Sequence, residues 1–266
     1  NLDPSAMSAF TAEDIDALYS GASRGLTAEQ FENIPTEALS GFDSDDIDLL
    51  RPDVIEVLDS ASLNAMDASA ISGFNGSQTA LIQPEAMSGL NGDTFVAFSG
   101  NAIGGLTADH VSNLPSDIFT QSDGSPNLSA IEQIAALQPE AVAGLSLEHI
   151  DHIPGDAPGP WDPIFEAHEG SDIGAVLTAD QISNFSNNIV MNHLNSDVIA
   201  ALSPEAASGI SGDVMVSINP EDMSGFTAEH IEALPDDAFS AINDVKLGNL
   251  DPSAMSAFTA EDIDAL

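Results

Sequence analysis

LTAEQFENIPTEALSGFDSDDIDLLRPDVIEV, residues 26–57, falls into four lines of eight: LTAEQFEN, IPTEALSG, FDSDDIDL and LRPDVIEV. In each line the first residue is large and apolar, the sixth is apolar again, and an acid stands fourth. IQPEAMSG (82–89) and LSPEAASG (202–209) repeat the pattern far from there. The register holds from Leu2 to Gln121, slips across 122–136, resumes at Leu137 and absorbs one extra residue, His193. A longer repeat lies on top of the short one. NLDPSAMSAFTAEDIDAL, residues 1–18, recurs unchanged at 249–266, a displacement of 248 residues, which is 31 times eight. Residues 1–248 thus read as one long repeat, irregular at 122–136 and 153–176, and 249–266 as the start of the next.

Each octad has the grammar of a single helical turn. Thr, Ser, Asn or Asp at position two is a good N-cap. Pro or Ala at position three suits the first helical residue, where a missing N–H costs nothing. The acid at position four complements the helix dipole. A small residue at position eight, often Gly, is expected to close the turn. One continuous helix is excluded, because eight residues at about 100° each rotate the apolar stripe by about 80° per octad. Pro and Gly recur too often for it as well. A strand is excluded because the apolar spacing alternates five and three, not two. Single turns do not stand alone, so positions one and six must bury against other octads. Phe95 and Ile231, both at position six, are expected in the core. The fold class predicted is all-α, a solenoid of short helical turns built on an 8-residue repeat. A bundle of irregular short helices is the rival. The period does not by itself set the number of octads per coil.

Charge narrows the functions. The chain has 3 basic and 44 acidic residues and a formal net charge of -41. Arg24, Arg51 and Lys246 are its fixed cations. Nucleic acid and anionic membranes, which require basic patches, are excluded as partners. At 43% hydrophobic residues the chain can still bury a core. It has no cysteine, hence no disulfide, and no apolar run near the roughly 20 residues of a membrane helix.

No catalytic residues are legible, and the chain is read as a non-enzyme. Three of its six histidines, His110, His149 and His230, fall at position five, which is taken to face solvent. Replacing His110 or His230 is therefore expected to cost little. His149 and His152 are spaced like two ligands on one helix, but no further Cys or His pair completes a zinc site. Rows of position-four carboxylates offer oxygen ligands, so diffuse Ca²⁺ binding is expected, without named ligands. The stretch 153–176 holds the single tryptophan. Trp161, Ile164 and Phe165 form either a lid over the core or a lateral contact for another chain.

LTAEQFEN, LSPEAASG and FTAEHIEA (226–233) resemble the L-T-P-E-Q-x-x-A repeats of very large, acidic, secreted or surface-attached bacterial proteins, including repeat arms of adhesin-like and matrix proteins. The resemblance implies an extracellular or cell-surface protein with a structural role. The expected function is a fibre, stalk or filament whose partners are other copies of itself, in tandem or head to tail. The alternative is an adhesin module that binds a ligand along its surface or at the Trp161 segment.

Overall fold

The computed structural model describes residues 2–18, 21–121, 123–151 and 161–266. The remaining part of the irregular stretch, 153–160, lies outside them, as do Ser122 and His152. The described residues form short α- and 3-10 helices of three to seven residues, joined by brief extended connectors. The fold class is all-α. One antiparallel bridge, Thr120 to Pro126, is the only β pairing among the described residues.

Each helical piece follows from its octad. In 26–33 the helix Ala28–Glu32 starts after the N-cap Thr27, whose hydroxyl accepts from the Gln30 N–H. Leu26 then lies before the helix and Phe31 on it, and both are buried. Position one and position six repeat this down the chain, as Phe42 and Ile47, Leu58 and Leu63, Leu90 and Phe95, and Phe226 and Ile231. Removing a Leu, Ile or Phe side chain from water is worth about 1.5–3 kcal/mol. The burial expected of Phe95 and Ile231 is met. The acids at position four, among them Glu29, Glu37, Asp109, Glu205 and Glu229, are exposed.

Neighbours across the core stand about three octads apart. Ala28–Glu32 packs on Pro4–Ala9 and on Pro52–Ile55. Ser60–Ala65 touches both Thr36–Gly41 and Pro84–Gly89, and Ser196–Ala201 packs on Pro220–Gly225. The contacts divide the described residues into two compact units. One lies within 2–144 and 148–151, the other within 145–147 and 161–266.

Glycine at position eight does not close turns through a left-handed conformation. Gly124, φ 80°, is the one positive-φ residue described, and it sits in the slipped stretch. Close approach is the reason instead. A Cβ on Gly41 would lie 2.2 Å from the Ala12 carbonyl oxygen, and one on Gly105 2.0 Å from that of Gly76. In both cases the obstruction is position three of the octad three back.

Candidate functional site

The most repeated polar feature is at position five. Helices opened by Thr at position two carry a reciprocal pair of hydrogen bonds. The Thr27 N–H donates to Gln30 Oε1 at 3.1 Å, which leaves the amide Nε2 free to donate to the Leu2 carbonyl at 2.9 Å. Gln181 does the same, accepting from the Thr178 N–H at 3.0 Å and donating to the Leu145 carbonyl at 3.0 Å. Gln78 reaches the Ile47 carbonyl at 2.7 Å.

Histidine performs this task with ring atoms. The Thr107 N–H meets His110 Nδ1 at 3.0 Å, and Nε2 lies 2.7 Å from the Ile82 carbonyl oxygen. A backbone N–H can only donate and a carbonyl can only accept. The ring is thereby fixed with its proton on Nε2. His230 repeats this with the Thr227 N–H at 3.2 Å and the Leu202 carbonyl at 2.8 Å. His149 reaches the Leu114 carbonyl at 2.9 Å. The expectation that position five faces solvent is overturned: His110, His149 and His230 are all buried. An imidazole looks like a surface group only while its carbonyl partner, 28 residues away for His110 and His230, is out of view. The signal available in the sequence was the capping pattern T-x-x-[QH], in TAEQ, TADH, TADQ and TAEH.

The same spacing measures the irregular stretches. His149 reaches back 35 residues to Leu114 where 28 is usual. The difference, 35 − 28 = 7, equals the excess of the 15-residue slip over one octad. Gln181 reaches back 36 to Leu145, so eight extra residues lie between them.

Lys246 is the one cation at position five. It is buried, and its Nζ donates to the Val216 carbonyl at 2.9 Å and also to that of Met215. Burial lowers its pKa from 10.5. The folded state therefore carries a penalty for the charged ammonium that is relieved as pH rises from the lowered value towards 10.5. Capping aspartates shift the other way in stability terms. The Ser62 hydroxyl, then its N–H, hold Asp59 below 3.8. That contribution is present above 3.8 and is lost as pH falls through the lowered value.

The candidate lateral contact resolves differently residue by residue. Trp161 and Ile164 are buried in the chain's own core, and Phe165 is half-buried. Burial leaves little of the first two for contact with another chain, because their apolar area is already taken up by internal packing. Trp161 meets Phe185 edge-on at 4.9 Å, and Phe165 stacks on His193 at 4.9 Å and 8°. His193, the extra residue of the register, places Nε2 2.9 Å from Asp162 Oδ1. Trp161 Nε1 and His168 Nε2 are buried without a partner among the described residues. Beside this cluster is a cavity of about 490 Å³ lined by Phe165, His168, Glu169, Asp172, His193 and Asp197. Among the described residues no three His, Cys, Asp or Glu side chains converge to hold a metal ion. No described helix is long and apolar enough to cross a membrane.

No protein-family model matches the chain, and no curated protein is similar to it.

Proposed function

We propose that the chain is a solenoid of 8-residue repeats with three octads to each coil, and that its work is structural, as an extracellular fibre, stalk or filament. The observation that carries this is the position-five rung. One hydrogen bond, from a Gln or His side chain to the position-one carbonyl three octads earlier, recurs at Gln30, His110 and His230 with a spacing of 28 residues. A design in which every coil repeats the same link to the coil before it extends without limit and contributes stability coil by coil. The exposed acids at position four keep such a rod soluble, and Ca²⁺ or salt is proposed to screen them. Other copies of the same repeat are the partners this reading calls for.

The cavity beside Phe165 and His193 favours a second reading, a module that holds a small polar ligand there. Negative-stain electron microscopy at raised salt separates the two. Uniform fibres support the structural reading. Discrete particles that bind a glycan or peptide saturably, with binding lost in Phe165→Ala, replace it with the second.

A further inference from the structure

Two histidines of the core fit their places only as neutral rings. His110 and His230 are 2% and 3% exposed. Each uses Nε2 as a donor, to the Ile82 carbonyl at 2.7 Å and to the Leu202 carbonyl at 2.8 Å. Each uses the lone pair of Nδ1 as an acceptor, from the Thr107 N–H at 3.0 Å and from the Thr227 N–H at 3.2 Å. A further proton can enter only at Nδ1, where it replaces that lone pair with a second N–H. Two donors then face each other at the N-cap, and a positive charge is left in the core. At His110 the Thr107 hydroxyl, 2.8 Å from Nδ1, can accept from the new N–H, but the Thr107 backbone N–H still loses its acceptor. The ion pairs among the described residues are Arg51 with Asp53 and His193 with Asp162, so neither ring has a carboxylate to hold the charge. Helix Ala108–Ser112 carries Asp109, and the helices packed on it, Pro84–Gly89 and Pro139–Val142, carry Glu85 and Glu140. Helix Ala228–Ala233 carries Glu229 and Glu232. Of the helices packed on it, Pro204–Ala207 carries Glu205 and Ala254–Ala257 carries no titratable group. All six of these acids are exposed. Their attraction for a proton is screened by salt, whereas the loss of the buried cap bond is not.

We infer that His110 and His230 are acid-sensitive joints of the fold. Neutral, each ties its own helix to a segment 28 residues earlier. Protonated, each gives up its N-cap bond and loosens that tie. Gln30 and Gln181 make the same two bonds with an amide, which takes up no proton near neutral pH. Gln and His are thus equivalent at neutral pH and different in acid, and the choice between them decides which helices let go first. These joints act within one chain, whether or not copies assemble into a fibre. The unfolded chain takes up a proton at each histidine below about pH 6.5, which the folded geometry at these two rings opposes. The unfolded state then binds more protons, so stability rises with pH and is lost as pH falls below about 6.5. Carboxylates titrate lower, near about pH 4, so the two effects occupy different ranges.

Urea unfolding followed by circular dichroism, in raised NaCl at about pH 7 and about pH 5.5, tests this on the wild type, His110→Gln, His230→Gln and the double variant. The other histidines and every carboxylate are common to all four proteins and cancel in the comparison. Between the two pH values the folding constant of the wild type is expected to fall about tenfold relative to either single variant, and about a hundredfold relative to the double variant. A wild type that loses no more than the double variant overturns the proposal. Should the double variant not fold at neutral pH, long-range ¹H–¹⁵N spectra of the wild type at about pH 5.5 decide instead. At least two rings are expected to keep the neutral signature with the proton on Nε2. Fewer than two neutral rings in the folded chain overturn the proposal.

Discussion

His110 and Gln30 solve one problem with different atoms. Each must accept from the N-cap N–H of its own helix and donate to a carbonyl three octads back. Nδ1 and Nε2 of imidazole match Oε1 and Nε2 of the amide in both role and reach. His110→Gln should keep both bonds and change stability by less than about 1 kcal/mol. His110→Ala leaves the Ile82 carbonyl and the Thr107 N–H buried and unpaired, which costs about 1–3 kcal/mol. Urea unfolding followed by circular dichroism measures both. Equal losses in the two variants would mean that ring packing, not the hydrogen bond, holds the position. Leu26 and Phe31 were legible as core from their type alone. His110 was not, since a polar side chain at the surface and one buried against a distant carbonyl have the same sequence.

At the scale of the element, the octad is too short to be stable and too regular to be unique. Nucleating one turn costs more than its few hydrogen bonds return, so each helix depends on those three octads before and after it. This gives a deletion rule. Excising residues 58–81, three octads, brings every remaining piece opposite a piece of equivalent phase. Excising residues 66–73, one octad, sets each later position-six side chain opposite the wrong octad. The 24-residue deletion should still unfold in one cooperative transition. The 8-residue deletion should lose several kcal/mol, as misplaced large side chains do in a packed core, or bind a hydrophobic dye. Equal damage from the two would sink the three-octad coil. The slip at 122–136 is a tolerated alternative: His149 reaches back 35 residues, seven more than His110, and still meets a position-one carbonyl. The octad and its helix could be read from Thr, Pro and acid placement. Position eight was read correctly as small but for the wrong reason, because the obstructing carbonyl belongs to another octad.

For the whole molecule, charge is the opposing force. A net charge of -41 with three fixed cations leaves the position-four acids with little to neutralise them. The single Arg–carboxylate pair described, Arg51 with Asp53 at 2.8 Å, is exposed and contributes little. Salt should raise the melting midpoint by screening, and millimolar Ca²⁺ should raise it further by bridging neighbouring carboxylates. Thermal melts in chelator, in NaCl and in CaCl₂ measure this. Identical midpoints in all three would show that the carboxylates are too far apart to matter.

Period, apolar positions and helix boundaries were determined by the sequence, because they depend on contacts within one octad. An N-cap, a proline at the first helical residue and a buried position six are local choices with local signatures. The pairing of helices about three octads apart and the burial of His110, His149 and His230 were decided by the tertiary structure alone. Each depends on a partner 24 to 36 residues away. An eight-residue period repeats identically whichever octad comes to lie opposite, so it carries no record of which one does.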